Sequence, residues 1–112
     1  MQLSIDSQDR GEVTVLTPKG HINAHTVKEF DSELQQLVGR GRYRIVICGR
    51  ELAYIPSAGL GALMGVIEDV RANGGDIRLA ELNETVYNIF DILGFTHLYR
   101  VFESTDTAIQ SF

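Results

Sequence analysis

A run of β-branched residues between two helical patterns constrains the fold of this chain more than any other feature. The run is Arg44–Cys48, and its consecutive apolar residues are typical of a strand that is buried on both faces of a sheet. Before it, Val27, Phe30, Leu34, Leu37 and Val38 fall on one helical face, and after it Leu60, Leu63, Met64, Ile67 and Val70 do the same. A buried strand with a helix on either side indicates an α/β fold with βαβ crossovers.

The remaining segments extend this alternation to both ends of the chain. The further predicted elements are strands near residues 3–5, 13–17, 77–82 and 98–102 and helices over residues 83–93 and 104–112. Ser104 is expected to cap the last helix, with Ala108, Ile109 and Phe112 facing inward. Since no internal repeat or linker interrupts the pattern, it predicts a single α/β domain over residues 1–112.

The composition indicates which classes of binding partner and which cellular compartment to expect for this protein. The chain has 112 residues, enough for one hydrophobic core, and a formal net charge of −5 without a cluster of Lys and Arg. Phosphate backbones are bound by basic patches, so nucleic acid is not expected as a partner. Cys48 is the single cysteine, which fits a reducing compartment. No signal-peptide pattern opens the sequence, and no apolar run reaches the about 18 residues of a membrane span, so we expect a cytoplasmic protein without membrane insertion.

The glycines of the second predicted helix do not complete a cofactor-binding motif. Gly59 and Gly61 begin like a dinucleotide-binding fingerprint, but Met64 stands where its third glycine belongs. Gly61 and Gly65 have a GxxxG spacing, which we interpret as close packing of this helix on the sheet. We therefore expect no cofactor.

The three histidines are weak candidates for metal binding. His21, His25 and His97 are not paired with a cysteine or carboxylate at a metal-ligand spacing, which favours surface or capping roles. No histidine forms a hydrolase motif with a serine, because the surroundings of Ser57 are not Gly-x-Ser-x-Gly. We expect neither a metal site nor a catalytic residue, and hence not an enzyme.

Ser57 stands between Pro56 and the start of the second predicted helix. In one interpretation it is an N-cap whose side chain accepts from the first-turn amides, which contributes about 1 kcal/mol. In the other it is a phosphorylation site, because the N–H groups and positive dipole end of a helix start tolerate the roughly two negative charges of a phosphate. The spacing alone leaves both interpretations open.

Four stretches of the chain carry a family resemblance that covers essentially its whole length. Gly20–Thr26 resembles a Gly-Glu-Leu-Asp-x-x-Thr motif at a first helix, and Tyr54–Gly61 resembles Phe-x-Asp-Ser-Ser/Ala-Gly-Leu-Gly after a β-branched run. Gly74-Gly75 before a strand and Val86–Phe95 agree in order and spacing. The sequence is thus similar to the STAS-domain anti-sigma factor antagonists, the bacterial anti-anti-sigma factors. A STAS-like domain implies a mixed, mostly parallel β-sheet, which we expect to have four to five strands beside about four helices.

The resemblance implies a mechanism for Ser57. In such proteins the matching serine is phosphorylated by an anti-sigma factor with serine-kinase activity. The unphosphorylated antagonist binds that anti-sigma factor and frees a sigma factor, and a PP2C-type phosphatase resets this partner-switching cycle. The implied partner surface combines the loop before the first helix with the start of the second helix. Its residues are Asn23, His25, Thr26, Pro56, Ser57, Ala58, Gly59 and Leu60.

Three positions depart from the family pattern, and two other functions stay open. Pro56 replaces an Asp before the serine, which removes a carboxylate and a backbone donor. Asn23 replaces an Asp, which keeps a capping side chain without its charge, and Cys48-Gly49 replaces an acidic or Asn residue after the central strand. One alternative function is a non-phosphorylated STAS scaffold or interaction module in a signalling or lipid-transport complex. The other is a small enzyme or nucleotide-binding domain.

Overall fold

The computed structural model describes residues 3–112 as alternating strands and helices. Its elements, in chain order, are β1 (Leu3–Arg10), β2 (Val13–His21), α1 (Val27–Gly39), β3 (Arg44–Cys48), β4 (Leu52–Tyr54), α2 (Ser57–Ala72), β5 (Asp76–Ala80), α3 (Glu84–Ile92), a 3-10 helix (Phe95–His97), β6 (Val101–Phe102) and α4 (Thr105–Gln110). Met1 and Gln2, which the predicted domain includes, lie outside the described residues. Within residues 3–112, none of the helices combines the length and the apolar character that a membrane span requires.

The strands form one mixed sheet. β1 pairs antiparallel with β2, and parallel pairing then continues in the order β2-β3-β5-β6, while β4 pairs in parallel with the end of β2. This topology confirms the predicted α/β class with a mostly parallel sheet. Residues 3–112 contain six strands rather than four to five, and the unpredicted one is β4, whose three residues are too few to show a period-two pattern.

β3 is buried on both faces, as its β-branched run predicted. Ile45 and Ile47 belong to the main core, together with the inward faces of α1, α2 and α3. Val46 and Cys48 point to the opposite face of the sheet, where they join a smaller apolar cluster that includes Ala108 of α4. Because side chains alternate along a strand, one short run supplies both layers of the core.

Among residues 3–112, two helix starts are capped by side chains. Asn83 Oδ1 accepts from Val86 N at 2.9 Å at the start of α3. Ser104 Oγ accepts from Thr107 N at 3.0 Å at the start of α4, which confirms the predicted cap of the last helix. Gly94 follows α3 with a φ of 78°, the left-handed conformation that ends helices and that glycine adopts without strain.

Met64 of α2, which was predicted to share the apolar face of its helix, is exposed instead, at 46%. Leu93, just after α3, is a further exposed apolar residue, at 52%. In α2 the inward positions are taken by Leu63, Val66 and Ile67, so Met64 lies on the outer face.

The GxxxG spacing of α2 does not mark close packing on the sheet, so that interpretation is wrong. Gly61 and Gly65 are exposed, and apart from the adjacent residues and backbone of its own helix, a Cβ atom placed on either would meet no atom of residues 3–112 within 4 Å. A close approach occurs elsewhere: a Cβ atom on Gly75, just before β5, would clash with the carbonyl oxygen of Tyr43, just before β3.

Candidate partner-binding site

The loop after β2 and the start of α2 lie side by side. β4, which leads into α2, pairs with the end of β2 through Tyr54 and His21. The contact continues one residue further, since Ile22 N donates to Tyr54 O at 3.2 Å. The short strand β4 therefore brings together the two segments that were predicted to form one partner surface.

α2 begins at Ser57, and its N-cap is Pro56. Pro56 is extended (φ −83°, ψ 172°), and its carbonyl oxygen accepts from Gly59 N at 2.9 Å and from Leu60 N at 3.3 Å. Proline fits this position because its ring holds φ in a narrow negative range. No side chain of residues 3–112 caps this helix start. The interpretation of Ser57 as the N-cap is therefore wrong, and Ser57 is instead an exposed residue in the first helical position.

The predicted surface residues divide into accessible and buried ones. His25, Ser57 and Ala58 are exposed, and Asn23 and Pro56 are half-buried. The buried members are Thr26, Gly59 and Leu60, of which Thr26 and Leu60 are 6% and 2% exposed. These three belong to the framework beneath the surface, so a partner that docks on this conformation meets the other five.

The loop from Ile22 to Thr26 is held by its own hydrogen bonds. Asn23 Oδ1 accepts from His25 N at 2.8 Å and from Thr26 N at 3.1 Å. Thr26 Oγ1 accepts from Asn23 N at 2.9 Å and donates to His21 O at 3.0 Å. The side-chain amide of Asn23 thus supplies the acceptor that an aspartate would supply, and the closed network presents His25 to solvent.

Gly59 allows the side chains of Ile55 and Ile22 to pack closely against the start of α2. A Cβ atom at this position would lie 2.6 Å from Ile55 Cγ1 and 3.4 Å from Ile22 Cγ2. The first of these distances is shorter than carbon atoms tolerate, so a larger residue would push α2 away from Ile55 and the end of β2. Gly59 is consequently a packing requirement of the site.

Tyr54 and Met64 extend the accessible surface beyond the predicted residues. Their side chains are 44% and 46% exposed, and Met64 lies two helical turns after Ser57 on the outer face of α2. Tyr54 could have been predicted from the sequence, because it is the first residue of the segment that resembles the family motif.

The stretch from Leu52 to Ile67 contains no charged residue, although the chain has a net charge of −5. A charge added at Ser57 would therefore be the first charge of this stretch.

The three histidines lie apart from any metal-binding arrangement. Within the described part of the chain, no group of three or more His, Cys, Asp or Glu residues is placed to hold a metal ion. His21 lies in β2, and its Nδ1 is buried without a hydrogen-bond partner from residues 3–112, whereas His25 and His97 are exposed. The exposed Ser57 hydroxyl is not hydrogen-bonded to a histidine or to any other base among residues 3–112.

Comparison with known sequences places this architecture in a family. The model of the STAS domain family matches residues 4–108. BtrV of Bordetella bronchiseptica, a candidate anti-sigma factor antagonist, is 31% identical over 112 residues, which cover 100% of this chain and 95% of BtrV. The anti-sigma-B factor antagonist of Bacillus subtilis is 24% identical over 110 residues, which cover 98% of this chain and 100% of that protein.

Comparison with solved structures supports the same fold. SpoIIAA, an anti-sigma factor antagonist and Bacillus cell fate determinant, has been solved in unphosphorylated and phosphorylated forms. The unphosphorylated form matches with a TM-score of 0.83 and 18% identity over 96% of this chain and 95% of that chain. The phosphorylated form matches with a TM-score of 0.74 and 18% identity over 96% of this chain and 98% of that chain.

Proposed function

Because this chain belongs to the STAS domain family, we propose that it is an anti-sigma factor antagonist regulated by reversible phosphorylation of Ser57. In its unphosphorylated form it binds an anti-sigma factor that is also a serine kinase, and this binding releases a sigma factor. A PP2C-type phosphatase returns the phosphorylated form to the cycle. The chemistry belongs to the kinase and the phosphatase, and this chain is their non-enzymatic substrate in the cytoplasm.

The observation that carries the proposal is the state of the Ser57 hydroxyl. Ser57 is exposed at the first position of α2, and the helix start makes no side-chain cap bond within residues 3–112. Modification of this hydroxyl therefore breaks no capping interaction. The first-turn N–H groups and the helix dipole tolerate added negative charge, so the folded state can accept the phosphate.

The composition of the surface supports a switch of docking. The stretch from Leu52 to Ile67 is uncharged, and Tyr54 exposes an apolar ring beside the helix start. A partner that buries such a surface would have to desolvate the roughly two charges of a phosphate, which opposes association. The unphosphorylated form is then the binding form, with His25, Asn23, Pro56, Ser57 and Ala58 as the accessible contact residues.

The direct test is phosphorylation by a candidate anti-sigma factor kinase from the same cell. Incubation with the kinase and Mg-ATP is expected to add one phosphate by intact-protein mass, and a PP2C-type phosphatase is expected to remove it. Ser57→Ala should abolish the addition. Ser7→Ala, which removes another exposed hydroxyl from strand β1, should leave it unchanged. Equal labelling of wild type and Ser57→Ala would exclude Ser57 as the site.

Pro56 favours a second candidate function, a STAS interaction module that is not switched by phosphate. As the N-cap of α2, Pro56 occupies the position next to the acceptor serine with a ring and without an N–H group or carboxylate. A kinase that reads the residue before the serine meets a different surface here. This candidate predicts a partner affinity that Ser57→Asp leaves unchanged, whereas the phosphorylation switch predicts that Ser57→Asp weakens binding.

A further inference from the structure

The second face of the sheet is covered by the short helix α4 through a small apolar contact. Ala108 is fully buried, while Ile109 and Phe112 are half-buried. The residues beneath them are Val13, Val15, Val46, Cys48 and Ala80. A helix of six residues is not stable by itself in water, so α4 depends on the contacts that attach it to the sheet.

Glu81 provides the polar attachment at the start of α4. Its Oε2 accepts from Thr105 N at 3.1 Å and from Thr105 Oγ1 at 2.5 Å. These are hydrogen bonds to a charged acceptor, which are stronger than bonds between neutral groups. We call this pair of bonds the Glu81 latch.

The other polar attachments of α4 lie at its flanks. Arg10 Nη2 is 3.3 Å from Asp106 Oδ1, but both side chains are exposed, and exposed ion pairs contribute little. At the far end, Arg78 Nη1 donates to Ser111 Oγ at 2.7 Å, and its guanidinium lies 4.2 Å from the centroid of the Phe112 ring. At the N-terminal end of α4, the Glu81 latch is therefore the partly buried charged attachment, whereas the Arg10–Asp106 ion pair is exposed.

Glu81 is held in a backbone conformation that is unfavourable for its residue type. Its φ is 55°, and no other non-glycine residue among residues 3–112 has a positive φ. Its N–H donates to Phe102 O at 3.1 Å, which fixes the backbone at the end of β5. The strained position points the carboxylate at the first turn of α4, and Thr105 in turn lowers the pKa of Glu81 through its hydroxyl, against the opposing effect of burial.

Cys48 lies beneath this attachment. Its side chain is 1% exposed, it packs in the same cluster as Ala108, and its Sγ is 3.9 Å from Glu81 Oε2. The groups that face the Glu81 carboxylate are the Cys48 thiol from β3, Thr105 from α4 and the Arg50 guanidinium, whose Nη1 is 3.8 Å from Oε1. Because Cys48 is the single cysteine, its thiol reports on any opening of this face.

We propose that α4 is a releasable strap, fastened by the Glu81 latch, whose opening uncovers the Cys48 thiol while the rest of the sheet stays folded. Because its apolar contact is small and its attachments are few, α4 is expected to open locally at a lower free energy than the central strands of the domain. The strap lies on the opposite face of the sheet from the main core that contains α2, and it operates whether or not Ser57 is phosphorylated.

The test is the rate at which a thiol reagent such as dithiobis(nitrobenzoate) labels Cys48 in the folded protein. Glu81→Gln keeps the side-chain shape and the backbone strain but removes the charged acceptor, and we expect labelling at least about tenfold faster than in wild type. The matched control is Glu103→Gln, which removes the same charge two residues before α4; the Glu103 carboxylate makes no hydrogen bond or ion pair within the described part of the chain. This control should label at the wild-type rate.

Two further measurements, the urea dependence of labelling and amide hydrogen exchange, distinguish local opening from global unfolding. Local opening exposes little surface, so the labelling rate should be nearly independent of urea at low concentrations. Amide hydrogens of residues 105–110 should also exchange faster in Glu81→Gln than in wild type, while those of β3 and β5 stay protected. A labelling rate that rises steeply from zero urea, or exchange in α4 no faster than in β3, would overturn the proposal. So would equal labelling of wild type and Glu81→Gln.

Discussion

At the start of α2, the N-cap position and the exposed hydroxyl belong to two different residues, Pro56 and Ser57. Pro56 takes the extended N-cap position, and Ser57, one residue later, leaves its hydroxyl exposed. The sequence located this helix start correctly, but its N-cap interpretation of Ser57 was one residue too late. The reason is physical: a serine after a proline is compatible with either position, and the choice depends on where ψ changes from extended to helical.

Tyr99 is the residue that the structure makes most sensitive to alkaline pH. It is 1% exposed, and its hydroxyl has no hydrogen-bond partner within residues 3–112. Burial raises the pKa of Tyr99 to about 12, while the nearby Arg71 charge opposes this rise. The folded state therefore keeps the phenol protonated at a pH where the unfolded chain ionises it.

We expect the contribution of Tyr99 to stability to be complete below about pH 10, the ordinary tyrosine pKa, and to be lost as the pH rises from there towards 12. Tyr99→Phe removes both the titration and an unsatisfied buried hydroxyl. We expect the variant to be as stable as wild type at pH 7, or more stable by about 1 kcal/mol, with a shallower loss above pH 10. Urea unfolding at pH 7 and 10.5 measures this. A loss of more than about 2 kcal/mol at pH 7 would show that the hydroxyl has a partner.

At the scale of the element, the glycines of α2 have two different roles. Gly59 packs where a side chain would collide with Ile55, whereas Gly61 and Gly65 face open space. The sequence motif could not distinguish them, because a GxxxG spacing records distance along the helix and not which face meets the sheet. The same ambiguity affected Met64, whose neighbour Leu63 takes the inward position.

Substitution of these glycines by alanine gives opposite expected effects. Gly61→Ala should raise the free energy of unfolding by about 0.5–1 kcal/mol, because alanine costs less backbone entropy in a helix and the space is empty. Gly59→Ala should lower it by about 1–3 kcal/mol, because the new methyl group overpacks against Ile55. Thermal unfolding of the two variants under identical conditions checks the pair. Equal shifts of the same sign would contradict the packing described here.

At the scale of the whole molecule, the order of the strands in the sheet determines which loops lie next to each other. The β-branched run and the helical faces were sufficient to predict an α/β domain, and the family resemblance implied its mostly parallel sheet. The pairing of β4 with the end of β2 was not predictable from residues 52–54, because three residues carry no periodicity. That pairing nevertheless places the start of α2 beside the loop that contains Asn23 and His25. The sequence therefore predicted two segments of one partner surface, and the topology explains how these segments come together.

The charge distribution of the chain supports the proposed switch at Ser57. The chain is acidic overall, yet the stretch around Ser57 carries no charge, so a phosphate there changes the local electrostatics more than it would on a charged surface. The folded framework beneath the surface, formed by Thr26, Gly59 and Leu60, is buried and should stay in place on phosphorylation. The predicted effect is thus on docking and not on folding.

The most direct measurement is the affinity of a candidate anti-sigma factor for the two forms of this protein. Calorimetric titration should give binding by the unphosphorylated form and an affinity at least about 100-fold lower for the form phosphorylated at Ser57, since an unpaired charge at an interface costs several kcal/mol. The circular dichroism spectra of the two forms should be the same. An equal affinity of both forms for the anti-sigma factor would contradict the account.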